Sequence, residues 1–385
     1  MFHYLKFFHY YAIVLLGCAF LLFADYFILI GFAMFASIYV LGDALFGDDT
    51  STPTLANRVV INTMLYGSAP LLVVLLISSL WLVTPHNWAF MVTFSEFIGY
   101  DFVQAKLNTS GFELTIAVVF CGLMLSGIAT VVGHELVHRI AKPIDVCFGR
   151  WLMSLTLDAN FSIEHVYHHH AKVATEADPV TAPRGRNVYV HTVYAIIGTN
   201  KSAWNIEKKR LARKKQALLS QHNKVIRGWL MSALYLFAAG MIAGWQGALF
   251  LGLIGATGKC ILEIVNYMEH YGLVRDPRQP VKPKHSWNSN RKISTWAMFN
   301  LPRHSHHHEH GAMPFEKLQP MPEAPMMISG YVSTIGIALI PPLWFALMKP
   351  KLAHWDSHFA NKEELDIIEQ QNIKRRQRPL IAYFY

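Results

Sequence analysis

The chain has 385 residues, is 53% hydrophobic and only 15% charged, against about 25% charged for an ordinary soluble domain. With a mean hydropathy of +0.26, this composition excludes a soluble globular or disordered chain and points to a membrane protein. The net charge of +9 is uneven: only Lys6, Arg58 and Lys106 precede Arg139, fifteen cations lie from Arg139 to Arg227, and fifteen follow Tyr271. That fits the cytoplasmic face of a membrane protein, not a nucleic-acid partner.

Taken in order, the segments predict an all-α integral membrane protein with six transmembrane helices and a cytoplasmic histidine-rich catalytic region. The apolar block from Tyr4 to about Leu45 would be about 60 Å long as one helix, twice the hydrocarbon thickness. A turn near Ala24-Asp25-Tyr26 makes it two spans. No small-residue cleavage site follows the first run, so it reads as an anchor. After the polar break at 47–53, a third span runs from about Ala56 or Val60 to Val83. Trp88 to Phe102, which contains Glu96, reads as an interfacial or partly inserted loop. The fourth span covers about Phe112 to Val132 and continues as helix through His138.

Arg139 to Arg227 is mostly polar and includes a cationic, helix-like run from Asn205 to Lys224. Trp229 to about Trp245 and Ala248 to about Ile264 make the fifth and sixth spans, split near Gly244-Trp245-Gln246-Gly247. Ile328 to Leu347 is apolar but short, and Pro341-Pro342 breaks it. A crossing there would set the seven cations of 349–378 opposite the other basic loops, so this segment is expected to be re-entrant or interfacial, with both termini cytoplasmic. Four regions result: 1–138, ending in the first histidine motif; 139–228, cytoplasmic; 229–272, the last two spans; and 273–385, cytoplasmic with the C-terminal segment. The cysteines Cys18, Cys121, Cys147 and Cys260 lack metal-ligand spacing and read as reduced packing residues. With no Cys-x-x-Cys, the chain carries no rubredoxin- or ferredoxin-like module of its own.

Four places hold 12 of the 20 histidines. In His134-Glu135-Leu136-Val137-His138 the i, i+4 spacing puts two imidazoles on one helix face. In Glu164-His165-Val166-Tyr167-His168-His169-His170, His165 and His169 repeat that spacing, and His170 adds a neighbouring direction. His270 sits at the end of the sixth span. Asn300 to Gly311 supplies His304, His307 and His308 at i, i+3, i+4. With an inside N-terminus, the six spans put all four places on the cytoplasmic side. His168, His306 and His310 are spare. The remaining nine (His134, His138, His165, His169, His170, His270, His304, His307 and His308) are too many for one ion and suit two, each four- or five-coordinate, with positions left for oxygen or water. Nitrogen-rich sets of this kind suit iron held near a membrane. Glu135, Glu164, Asp178, Glu269 and Glu309 are expected to receive the ring N–H groups not used for metal. Two readings of another class stand beside this one. His-Glu-x-x-His is also the zinc-protease pattern, and a histidine-rich metal transporter would need its ligands near mid-membrane.

These motifs resemble the membrane-bound, histidine-rich di-iron family of desaturases, hydroxylases and monooxygenases, and within it the alkane 1-monooxygenases (alkane omega-hydroxylases). The resemblance rests on His134-Glu135-Leu136-Val137-His138-Arg139, on Glu164 to His170, on Leu301-Pro302-Arg303-His304-Ser305-His306-His307-His308, and on Asn266-Tyr267-Met268-Glu269-His270-Tyr271-Gly272. The last of these separates alkane hydroxylases from acyl-lipid desaturases. Pro302 stands where Gln is common. The resemblance covers about Asp43 to Gly311. It implies two non-haem iron ions, dioxygen as co-substrate, and hydroxylation of the terminal methyl of a medium- or long-chain n-alkane. It also implies electrons from rubredoxin with its NAD(P)H-dependent reductase, and a multi-pass place in the bacterial inner (plasma) membrane with the site on the cytoplasmic side. A fatty acid desaturase or hydroxylase is the nearest alternative. Phe32, Phe35 and Ile38 on the second span are candidate substrate-tunnel residues. Basic surface near Arg139, Lys142 and Arg303 is a candidate docking place for acidic rubredoxin.

Overall fold

The computed structural model describes residues 2–377, so Arg378, the last of the seven C-terminal cations, lies outside the described residues. Within them the regular secondary structure is all helix, apart from two isolated bridges, Asp48 with Arg291 and Asn288 with Met326.

Helices α1 (Phe2–Phe23) and α2 (Phe27–Phe46) meet at a turn in which Ala24 and Asp25 take positive φ. The expected pair of spans is therefore present. Asn57 caps α3 (Arg58–Tyr66), which continues as α4 (Ser68–Trp81), and together they form the third candidate span. The segment expected as an interfacial loop is instead helical: α5 (Ala89–Ile98) is followed by α6 (Phe102–Asn108), capped by Asp101. Its apolar residues close a small cluster in which Trp81, Met91 and Phe102 are buried, and that packing favours a helix over a loop. A Ser110–Glu113 capping box starts α7 (Gly111–Leu125). The helix then widens into a π-helical stretch (Ser126–Val131) before α8 (Val132–Val137).

Helix α9 (Pro143–Leu155), the short α10 (Phe161–Glu164), a second π-helical stretch (His165–His169) and α11 (His170–Lys172) follow. Helix α12 (Val188–Arg213) ends before the cationic run expected to be helical to Lys224 does. Lys215 takes positive φ, and the Asn223 cap begins a new helix, so the run divides into a helix end and a turn. Helix α13 (Lys224–His270) is 47 residues long but is non-helical at Ala243 and Gly244, the latter at φ 68°. A Cβ at Gly240 would lie 3.6 Å from Ala248 Cβ, and one at Gly252 3.7 Å from Leu236 Cδ2. Sixteen residues of straight helix extend about 24 Å, so the two halves fold back on each other as an antiparallel pair. Among the described residues five helices are long and apolar enough to cross a membrane, and counting the two folded-back halves of α13 separately gives the six expected.

Helix α14 (Lys292–Ala297), α15 (His304–Glu309), α16 (Tyr331–Ala338), α17 (Pro341–His358) and α18 (Lys362–Gln377) complete the chain. α16 and α17 bend by 116° at the Pro pair, either a broken span or a re-entrant loop. Pro341 opens α17, where its missing N–H is not needed. Two spans pack through a small residue, which lets backbones approach where lipid offers no hydrophobic driving force: Gly122 lies against Thr257, while Gly258 lies against Thr156 at the end of α9. Cys18 and Cys121 are buried, Cys260 is half-buried, Cys147 is exposed, and all four are free.

Candidate metal centre

The nine histidines singled out by spacing come together in two adjoining sets. His134, His138, His165, His170 and His307 form the first, with one ring nitrogen from each within 4.8 Å of the others. His169, His270 and His308 form the second, which His304 joins through His270 and Glu269. The sets abut: the His170 ring of the first stacks on the His308 ring of the second, with centroids 4.6 Å apart.

Local backbone decides this division. An α-helix would place His165 and His169 on one face. The π-helical turn instead bonds the His170 N–H back to the His165 carbonyl, five residues earlier. His165 and His170 therefore share a face, with their Nε2 atoms 3.1 Å apart, while His169 turns to the second set and reaches His308 Nε2 at 3.3 Å. The i, i+4 pairing expected for His165 and His169 is thus replaced by an i, i+5 pairing. The other π-helical stretch immediately precedes α8, which carries His134.

The nitrogens cannot satisfy one another. A neutral imidazole has one N–H and one lone pair. In the first set His134 Nε2 and His170 Nε2 both approach His165 Nε2, at 2.9 and 3.1 Å, while His138 Nε2 and His307 Nε2 have no partner. Burial, and then the crowding of neighbouring rings, pushes the pKa values of His165, His170, His304, His307 and His308 well below the ordinary imidazole value. Buried lone pairs left this way are costly. A cation within each set uses them all, so the residues fit two transition-metal ions bound through neutral nitrogen.

The carboxylates are placed unequally. Asp178 accepts from His169 Nδ1 at 3.0 Å and from the Thr181 hydroxyl at 2.6 Å. Burial alone would raise its pKa, but the His169 ring and the Thr181 hydroxyl outweigh that and lower it. Glu269 lies 3.3 Å from His304 Nε2. Glu135, expected to receive a ring N–H, is occupied by the Arg139 guanidinium at 3.0 Å and by the Phe315 amide at 3.1 Å. Glu309 approaches His310, at 3.7 Å, and not one of the nine; it sits at the open end of α15 while the nine rings face inward. Glu164 Oε1 is buried without a partner, and burial, together with Asp178 and Glu263, raises its pKa well above the usual range. It borders a cavity of about 10 Å³ behind His165 and His169, along with Asp158, Asn160, Lys259 and Glu263. That is room for about one water.

Among the spare histidines, His310 is exposed, His168 Nε2 meets the Ala177 carbonyl at 2.9 Å, and buried His306 accepts the Gln319 amide at 3.3 Å. Phe35 is buried beside Tyr39 and Phe120, and Phe32 also meets Phe120, while Ile38 packs against the same core. The docking role considered for Arg303 is ruled out. Arg303 is 1% exposed, and its guanidinium donates to the Leu318, Asp49 and Ser51 carbonyls, tying the 49–51 loop to the segment after α15. Arg139 is held by Glu135, Asp145 and Asn62.

Two features of the site carry no sequence-spacing signal. Tyr331 donates its hydroxyl to Glu269 Oε1 at 2.6 Å from the segment expected to be re-entrant or interfacial. Gly311 lies against the His170 ring, and a Cβ there would come 2.7 Å from His170 Nδ1. Gly311→Ala is expected to displace that ring and to weaken metal uptake by the first set. Misplacement of about 1 Å costs on the order of 100-fold in turnover; iron titration and single-turnover rates read both effects, and an unchanged variant would show that His170 is not held there.

Residues 112–327 match the family model described as fatty acid desaturase. The chain is 36% identical over 240 residues to alkane 1-monooxygenase 2 of Alcanivorax borkumensis, covering 61% of this chain and 63% of that protein, a little under two thirds of its length. It is 30% identical over 341 residues to the alkane 1-monooxygenase of Ectopseudomonas oleovorans, covering 84% and 78%. It is 35% identical over 285 residues to the xylene/toluene monooxygenase hydroxylase component of Pseudomonas putida, covering 71% and 72%.

Proposed function

Because the chain belongs to the alkane 1-monooxygenase family within the fatty acid desaturase superfamily, we propose that it is a non-haem di-iron monooxygenase. It converts the terminal methyl of a medium- or long-chain n-alkane to a primary alcohol: RCH3, O2, two electrons and two protons give RCH2OH and water. The observation that carries this reading is the pair of buried histidine sets, five rings in one and four in the other, with converging Nε2 atoms.

His134, His138, His165, His170 and His307 hold one ion, and His169, His270, His304 and His308 hold the other. Two bound irons would activate O2 for attack on an unactivated C–H bond, since a methyl group offers no handle for acid–base or nucleophilic chemistry. The protein supplies the rest. Asp178 fixes the His169 ring and its tautomer through Nδ1. Burial keeps the rings neutral and water out. Phe32 and Phe35, packed on Phe120, and Ile38, on the same core, set how deep an unbranched chain reaches from the bilayer. Electrons come from rubredoxin and its NAD(P)H-dependent reductase. The site faces the cytoplasm of a bacterial inner membrane, where Lys and Arg accumulate.

A second reading concerns the substrate alone. The relative named for xylene and toluene is as similar, over a comparable share of the chain, so a methyl group on an arene is the competing substrate. Protein reconstituted in lipid with iron, rubredoxin, reductase and NADH should turn octane into 1-octanol with about two irons per chain. Faster turnover of toluene or xylene would reassign the substrate. One zinc per chain and no oxygen consumption would overturn the proposal.

A further inference from the structure

The second histidine set differs from the first in having a carboxylate grouped with two of its rings, His270 and His304. Glu269 Oε2 lies 3.3 Å from His304 Nε2, which is itself 3.2 Å from His270 Nε2. All three residues are buried, at 0 to 3% exposure. One nitrogen cannot serve both neighbours as a donor. If His304 presents the Nε2 lone pair to an ion shared with His270, it has no Nε2 proton left to give Glu269. The carboxylate oxygen at that distance then faces the same cation. Among the described residues no Lys or Arg pairs with Glu269, and its other oxygen is taken by a neutral hydroxyl.

That hydroxyl is the second observation. Tyr331 donates to Glu269 Oε1 at 2.6 Å and is 2% exposed. Its position is fixed from below. The Tyr331 amide donates to Ser294 Oγ at 2.9 Å, and Ser294 N and Oγ donate to Asp43 Oδ1 and Oδ2 at 3.0 and 2.5 Å. Gly330 packs directly on that carboxylate, where a Cβ would meet Asp43 Oδ2 at 1.8 Å. The Trp287 amide holds the Glu269 carbonyl at 2.9 Å. The cytoplasmic end of α2 is thereby connected, through α14 and α16, to a carboxylate with one oxygen tied by Tyr331 and the other 3.3 Å from His304 Nε2. Tyr331 lies beyond the 112–327 segment that the desaturase family model matches.

We propose that Glu269 is an oxygen ligand of the ion held by His169, His270, His304 and His308, and that Tyr331 is its positioning residue. The inference rests on the reading of the two sets as metal sites. It makes the two ions chemically unequal, with nitrogen alone around the first and nitrogen plus one carboxylate oxygen around the second. Harder, negatively charged oxygen at one ion separates their affinities and their spectra.

The test uses the full chain in lipid nanodiscs loaded with 57Fe(II), read by iron stoichiometry and by Mössbauer spectroscopy, neither of which depends on turnover. The wild type should bind two ions and give two distinct quadrupole doublets. Glu269→Gln, isosteric but neutral, should weaken one ion at least tenfold and change one doublet only, the one that His169→Ala also removes and His307→Ala leaves in place. Tyr331→Phe should keep both ions at saturating iron, shift that same doublet, and weaken its ion by about 10- to 100-fold, the range for groups that orient a ligand. Wild-type affinity and unchanged doublets in Glu269→Gln would overturn the proposal. If Glu269→Gln does not give monodisperse protein, Tyr331→Phe decides in the same way, since it keeps the ring and the packing. A wild type that takes up no pair of ions removes the underlying metal-site reading instead.

Discussion

His165→Ala and His170→Ala are each expected to remove the same ion, and His169→Ala the other. The π-helical turn makes this a sharp expectation. Regular α-helical pairing would have put His165 with His169, so His165→Ala and His169→Ala would then strip one ion between them. In the structure His165 Nε2 meets His134 and His170, while His169 Nε2 meets His308. Iron should fall from about two per chain to about one in each single variant. The double variant His165→Ala/His170→Ala should retain one ion, and His165→Ala/His169→Ala should retain none. Turnover should drop more than about 100-fold in every case, because loss of even an outer partner of a ligand costs about 10- to 100-fold. Metal analysis of the two double variants is decisive. If the first loses both ions and the second keeps one, the α-helical pairing is right and the division into two sets is wrong.

The second large effect is expected behind the site. Lys259 Nζ lies 2.6 Å from both Asp158 Oδ2 and Glu263 Oε1, with all three side chains nearly sealed from solvent. These contacts lock α13 to the turn between α9 and α10, from which the His165–His170 segment departs. Asn266 donates to the other Glu263 oxygen at 2.9 Å, and Glu164 borders the same cavity. Lys259→Met removes the single ammonium among three carboxylates. Breaking a buried pair by removing one partner costs about 3–5 kcal/mol, because it leaves an uncompensated charge. The melting temperature in detergent should therefore fall markedly, and Lys259→Met/Asp158→Asn should recover part of the loss. An unchanged melting temperature in the single variant would show that solvent or lipid headgroups already satisfy these carboxylates.

Much of this molecule is written in local pattern. Apolar runs longer than the hydrocarbon thickness locate the spans, because a backbone in lipid must close its hydrogen bonds within the segment. The turn at Ala24-Asp25, the break at Ala243-Gly244 and the elbow at Pro341-Pro342 fall where residue chemistry interrupts those runs. The nine histidines stand out because so many imidazoles in so few places have no use in a loop, and they are the nine that the fold gathers. The adjacent pair His169-His170 even carries a trace of the division, since neighbouring residues on a helix cannot share a face.

What the sequence by itself determined, then, is the membrane architecture and the identity of the clustered rings. Only the tertiary structure decided how the rings divide and what surrounds them. Spacing assumes a regular helix, and a π-helical turn shifts every later side chain by about 100° without altering the residue pattern. Long-range contacts are equally silent in local pattern. Arg139 claims Glu135, Arg303 turns inward to the Asp49–Ser51 loop, and Tyr331 arrives at Glu269 from 62 residues away. Each of these depends on which segments meet, and that is set by packing across the whole chain, not by any one stretch of it.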